Sequence, residues 1–353
     1  MTLGQLLRKQ NNNLDLFRLL AAVGVIVGHA YSISPQPPLQ DGVASLLGFD
    51  YSGSLAVKFF FFLSGVLVTN SIVGNPNVVS FLMARSLRLF PGLIVCVVLS
   101  ALLLGTLVTD IDKGDYLRRP DTWAYIRRNF LLSLQWELPG VFKTNPSSVV
   151  NGSLWTLPIE CFCYLALAVL GGAKLLSNRL LASAALLGAM AALCLNRDIL
   201  PAVGLPAEAW QMPLIFALGA LLAVHKDVIE VNLQLIISLL IASFLVRRSW
   251  LLPYVLPMLL FLSAMYLSTW ESVRRIVLPG DFSYGVYLYG FPAQQLGKYL
   301  WPAQGVHANQ AAGIGLALLC GAASWYLVER PALRKGQQWR QLPLIVGMKR
   351  VTA

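Results

Sequence analysis

Residues Leu14–Ile33 read LDLFRLLAAVGVIVGHAYSI, and this stretch decides what kind of chain this is. At about 1.5 Å per residue, a helix of that length crosses the ~30 Å hydrocarbon core of a bilayer. Outward from it, comparable apolar runs recur along the chain. The spacing predicts helices over 14–34, 54–74, 89–109, 153–172, 179–195, 210–226, 230–247, 249–269, 282–300 and 309–328, about ten in all. Composition agrees: 57% of the 353 residues are hydrophobic and 12% are charged, about half the charged share of a soluble domain. A disordered chain and a soluble globule are thereby excluded. The runs are continuous, without the alternation of a transmembrane barrel strand. The expected fold class is all-α integral membrane, multi-pass, with about ten transmembrane helices.

The net charge of +11 is spread in short clusters at the ends of apolar runs. That placement fits orientation in a membrane and attraction to anionic headgroups or an anionic ligand, and it argues against nucleic acid. An even number of spans puts both termini on one side. Clusters at Arg8/Lys9, Arg85/Arg88, Lys174/Arg179, Lys226, Arg274/Arg275 and from Arg330 to Arg350 make that side cytoplasmic. Arg197, Arg247, Arg248 and Lys298 fall on the outward side and count the other way, as do Lys113, Arg118, Arg119, Arg127, Arg128 and Lys143. The long segment 110–152 that holds those six also carries Asp110, Asp112, Asp115, Asp121 and Glu137. Within it Trp123, Ile126, Phe130 and Leu134 recur at helical spacing, which predicts an amphipathic interfacial helix on the outer membrane face after the third span. The first run has no small-residue cleavage site and is read as a retained span. Cys96, Cys161, Cys163, Cys194 and Cys320 all lie inside apolar runs with no CxxC spacing, so neither a metal site nor a disulfide framework is expected.

Ionisable groups inside such runs carry the functional signal. A charge at mid-span costs roughly 2.5–3.5 kcal/mol, so it normally faces a cavity or a partner. Arg18 and His29 are eleven positions apart, which at ~100° per residue brings them within about 20° on one helix face, roughly 16 Å apart along the axis. That is about the reach of an extended pantetheine arm, so a carrier with an anionic head and a distant thioester matches both ends. The plainer alternatives are a snorkelling arginine and a hydrogen-bonded structural histidine. Arg85 and Arg88 share a face where the third span begins and could clamp a phosphate, or serve as ordinary positive-inside anchors. Glu160, after Trp155 in the fourth span, could orient His29 or pair with an arginine. Tyr284 and Tyr287 can line one face of the ninth span, and Pro331 is expected to end the tenth with Glu329 and Arg330 at its mouth. His225 and His307 read as surface residues, Ser64 lacks the flanks of a nucleophile elbow, and Asn151-Gly-Ser153 matches a glycosylation pattern weakly.

Six segments in order resemble the acyltransferase-3 family of integral-membrane enzymes that modify bacterial surface and exported glycans. They are LDLFR with His29 beyond ten further residues, FFFFLSGVL (59–67), SFLMARSLRLFP (80–91), SLWTLPIECFCY (153–164), FSYGVYLYGFP (282–292) and SWYLVERP (324–331). The resemblance implies an O-acyltransferase, in first place an O-acetyltransferase, moving an acyl group from cytoplasmic acetyl-CoA (acyl-CoA as co-substrate, no metal) to a sugar hydroxyl of a glycan or glycolipid acceptor. It implies a bacterial inner membrane location and a stand-alone transmembrane unit, 1–335, with a short basic cytoplasmic tail, 336–353. Arg18 and His29 match the family's arginine and essential histidine, Arg85 and Arg88 its RxxR pair, and Trp155 and Glu160 its tryptophan–glutamate segment, with Thr156 in place of the usual serine. Gly290 stands where the family often has a second histidine, which leaves the base chemistry to His29.

On this reading His29, Glu160 and Tyr284 are catalytic, Arg18, Arg85 and Arg88 bind the donor, and Asp15, Ser64, Trp155 and Tyr287 face substrate. His29 acts as general base or carries the acyl group itself. A transporter or flippase for a lipid-linked glycan is the rival, although the matching broken helices of two halves are not seen. Homo-oligomerisation through lipid-facing helices stays open.

Overall fold

The computed structural model describes the chain except residues 197, 198, 200–204, 207 and 341–353. Arg197 and the basic tail beyond residue 340 therefore lie outside the described residues. Helix α1, Leu14–Ile33, starts at Asn13, whose side chain accepts from the Leu16 N–H and fills one of the free donors of the first turn. After it come α2, Ser52–Gly74, and α3, Val78–Val98, which passes through a wide π turn at Leu99–Leu104 into Gly105–Val108 as one rod. α4 is Pro120–Phe130, and α5, Thr156–Gly172, follows a tight turn at Gly152–Trp155. α6 (Arg179–Leu195), α7 (Gln211–Val224), α8 (Leu233–Leu245) and α9 (Leu252–Leu267) are shorter. α10 is Ser283–Leu300, and α11, Val306–Ser324, continues through a π turn at Trp325–Glu329 into α12, Arg330–Arg340.

The protein is all-helical. Among the described residues there is no sheet, only isolated bridges at Thr2–Glu230 and Thr109–Val141. Five helical stretches are long and apolar enough to cross a membrane: Leu14–Ile33, Ser52–Gly74, Val78–Val108, Gly152–Gly172 and Val306–Gln338. Large apolar side chains such as Leu103, Leu107, Leu165, Val169, Leu240, Phe244 and Leu319 are exposed around the bundle, a surface suited to lipid rather than water.

Inside, small residues let backbones approach, as is usual where both sides of a contact are already apolar. α2 crosses α7 with Gly65 against the Phe216 carbonyl and Gly219 against that of Phe62, and neither position has room for a Cβ. Gly28 of α1 meets Gly53 of α2, where a Cβ would lie 2.5 Å from the Gly53 nitrogen. α10 is the central post: Ser283 to Gln295 is buried apart from Tyr289.

Several expectations need correction. α3 begins at Val78, capped by Asn77, eleven positions ahead of the expected start. Its first three turns are amphipathic, so hydropathy alone misses them, and Arg85 and Arg88 sit within the helix. Pro331 does not end its helix. It falls in the first turn of α12, just after a π turn, where a missing N–H is tolerated, so the helix runs on past residue 336. The segment 110–152 does contain the helix α4, with Trp123 and Phe130 exposed, but it ends at Phe130. Leu132 takes φ +60°, so Leu134 does not extend the stripe. The face turned inward carries Thr122, Tyr125 and Asn129. Asn151 is buried and donates to the Leu288 carbonyl at 2.9 Å, which rules out the glycosylation pattern.

Candidate active site

Polar residues of six helices converge on a cavity of about 370 Å³ between α1, α2, α3, α5, α10 and α12. Arg18, Ser64, Arg85, Arg88, Glu160, Tyr284 and Tyr287 line it, so seven of the ten residues proposed from sequence meet in one place. Leu333 and Gln337 of α12 close one side.

The three arginines are not equivalent. Arg18 Nη1 donates to Asp281 Oδ2 at 2.9 Å, and Arg88 Nη2 donates to the same oxygen at 2.7 Å. Arg88 also reaches Glu329 Oε2 at 3.2 Å, and Ser324 holds the other oxygen of that carboxylate at 2.8 Å. Burial works against the charge on Asp281, just ahead of α10, yet Arg18 and Arg88 hold its carboxyl well below the usual carboxylate range. Asp15 lies 3.7 Å from Arg18 outside the cavity lining. Arg85 differs: among the described residues it forms no ion pair, and its buried Nε has no hydrogen-bond partner. Such a group is costly to leave unmatched, and it can hold an incoming anion.

Glu160 accepts from the Tyr164 hydroxyl, which lies 3.1 Å from Ser64 Oγ. No hydrogen bond joins it to His29, so it does not orient that ring. Tyr284 donates its hydroxyl to the Leu89 carbonyl at 2.8 Å, and its ring flanks the Arg88 guanidinium at 5.5 Å. Its hydroxyl proton is thus committed to α3.

His29 lies in a second, much smaller space of about 20 Å³, with Trp155, Tyr51, Met212 and Glu208. The close approach at Gly28 and Gly53 sets α2 beside this space, which Gly53, Ser54 and Val57 also line. Phe291 meets the imidazole edge-on at 5.0 Å, and Nδ1 is buried without a partner. Val57 and Tyr287 line both spaces and form the partition between them. Tyr287 is fixed there, 2.6 Å from Thr156 Oγ1 and donating to the Ser153 carbonyl at 2.9 Å. The arrangement can hold an anion at one end and take a proton or an acyl group at the other.

Sequence reasoning singles out Asp281, just ahead of Tyr284 and Tyr287, without giving it a role, and it misses Tyr164, Val57 and Glu208. Tyr164 lies four residues after Glu160 on one helix, a signal that was available; Val57 and Glu208 give none, because an apolar residue among many and a loop acid acquire meaning only from their neighbours. His225 is 2.8 Å from Ser183 Oγ and His307 3.0 Å from Gln310, both away from the site. Among the described residues no group of three or more His, Cys, Asp or Glu stands together as a metal site would need.

Residues 11–329 match the sequence profile of a family described as an acyltransferase domain, acyltransferase-3. The chain is similar to an O-acetyl transferase of Shigella phage Sf6, 28% identical over 341 residues that cover 92% of this chain and 97% of the relative. It is also similar to nodulation protein 10 of Rhizobium leguminosarum bv. viciae, 33% identical over 170 residues, 45% of this chain and 44% of that one. No solved structure matches.

Proposed function

The chain belongs to the acyltransferase-3 family, and on that premise we propose that it carries an acyl group across the membrane, from cytoplasmic acetyl-CoA to a sugar hydroxyl of an envelope or exported glycan. The observation that carries this reading is the paired arrangement: a cationic cavity with an unmatched Arg85, and His29 beyond a partition of two side chains. The donor's phosphates bind Arg85, with Arg18 and Arg88 completing the cationic wall through charge-assisted hydrogen bonds. Asp281 and Glu329 keep those two guanidinium groups in place. The pantetheine arm follows α1 inward past Ser64 and Tyr287, and the thioester meets His29.

In one route His29 takes the proton of the acceptor hydroxyl; the oxygen attacks the thioester carbon, the C–O bond forms, the C–S bond breaks and the CoA thiolate takes the proton. In the other an imidazole nitrogen attacks the thioester carbon first, the C–S bond breaks and CoA leaves as its thiol with the ring's own N–H proton; the acceptor oxygen then displaces the imidazole, and its hydroxyl proton returns to the ring. Trp155, beside His29, supplies an aromatic face for the acceptor. Glu160, with Tyr164 and Ser64, holds the inner approach polar, and Asp15 braces Arg18 from outside. The fold is read as ten spans, α1–α3 and α5–α11, with α4 at the outer interface and both termini cytoplasmic in a bacterial inner membrane. The exposed Trp123 and Phe130 support that place for α4.

The test uses purified protein in lipid nanodiscs with acetyl-CoA and the producing cell's own envelope glycans, with thiol release as the readout. His29→Ala is expected to lower release by about 100-fold or more while the protein stays folded. Unchanged release in that variant overturns the reading.

A further inference from the structure

We propose that Val57 and Tyr287 set the length of the acyl group that this protein transfers, and that His29 accepts only short acyl groups, acetyl above all. The inference rests on the reading of His29 as the group that meets the thioester. A donor anchored at Arg85 arrives from the large cavity, so its sulfur and pantetheine trail behind the partition. The carbonyl carbon must reach the imidazole, and the acyl tail then occupies the space on the far side.

That space is about 20 Å³. On this measure roughly 10–15 Å³ holds one water-sized group, so there is room for a methyl and little more. The tail cannot fold back past Tyr287, whose hydroxyl is held by Thr156 and by the Ser153 carbonyl. Phe291 lies against the histidine on another side, Met212 stands on a third, and the acceptor takes the side lined by Trp155, Tyr51 and Glu208, which leaves none of it to the tail. The large cavity is different: Phe60, Leu63, Leu67 and Val68 give it an apolar wall that would tolerate a longer chain. The length limit therefore comes from the small space that Val57 and Tyr287 bound, and not from the donor cavity.

The experiment measures kcat/KM of the purified protein in nanodiscs with acetyl-, propionyl-, butyryl- and hexanoyl-CoA, using the producing cell's envelope glycans as acceptor. In the unaltered protein the value is expected to fall about 100-fold or more from acetyl to butyryl, since each of the two extra methylenes costs about a decade or more against a closed wall. Val57→Ala is expected to raise the butyryl-to-acetyl ratio about threefold or more, and Val57→Leu to lower the propionyl-to-acetyl ratio by a similar factor. Equal use of acetyl- and hexanoyl-CoA overturns the proposal, and so do ratios that stay fixed in both variants. If those results come with His29-dependent transfer, the reading of His29 stands without the length limit. If the unaltered protein releases no CoA from acetyl-CoA, the reading falls and the length limit with it.

Discussion

At the residue scale, Arg85 and Arg88 show how alike two neighbouring guanidinium groups look in sequence and how differently they are placed. Arg88 answers two carboxylates, and one of them, Glu329, is 1% exposed. Removing Arg88 strands that carboxylate, and breaking a buried pair from one side costs about 3–5 kcal/mol. Arg88→Ala is therefore expected to lose stability along with donor affinity, which makes it a poor probe of binding. Arg85→Ala is the clean one. It removes a cation that pairs with no described residue, so thermal stability should hold while CoA affinity falls about tenfold or more by calorimetry, with a larger loss at low salt. Equal affinity in that variant would refute the phosphate anchor. Sequence spacing put both arginines on one helix face correctly. It could not tell them apart, because the carboxylates that distinguish them lie about 190 and 240 positions further along.

At the element scale, the bundle depends on helices whose backbones touch. The α2–α7 crossing has carbonyl oxygens directly over Gly65 and Gly219. Gly219→Leu must push α7 off α2, so it is expected to cost about 3 kcal/mol or more and to empty the membrane fraction of folded protein. Gly188→Leu on α6 is the control, since a Cβ there meets nothing within 4 Å; detergent-resistant folding should be unchanged. Equal yields of the two variants would contradict the tight crossing. The long apolar runs were legible because period and length announce them. The start of α3 and the passage through Pro331 were not. In α3 a polar face turned to an internal cavity lowers hydropathy just where the helix begins. At Pro331 a π turn changes which N–H groups are needed, and no local sequence rule reports that.

At the scale of the whole molecule, the two spaces lie at opposite ends of α1. Arg18, Asp281 and α12 mark one end; His29, Trp155 and Tyr51 mark the other. Motif order along the chain pointed to the residues, but not to their division between two chambers, because that depends on how α2 and α10 cross α1. Gly28, Gly53 and the buried length of α10 decide those crossings. The layout sets the arginines and their carboxylates in one space and the imidazole in the other.

Sealed, inverted membrane vesicles from the producing cell test that division most directly. Acetyl-CoA labelled in its acetyl group is added outside, and label is counted on glycan recovered from the lumen after the outer surface is stripped. The account predicts label inside the vesicles with the unaltered protein and background alone with His29→Ala. Lumenal label that is the same in both, or label confined to the outer face, would contradict it.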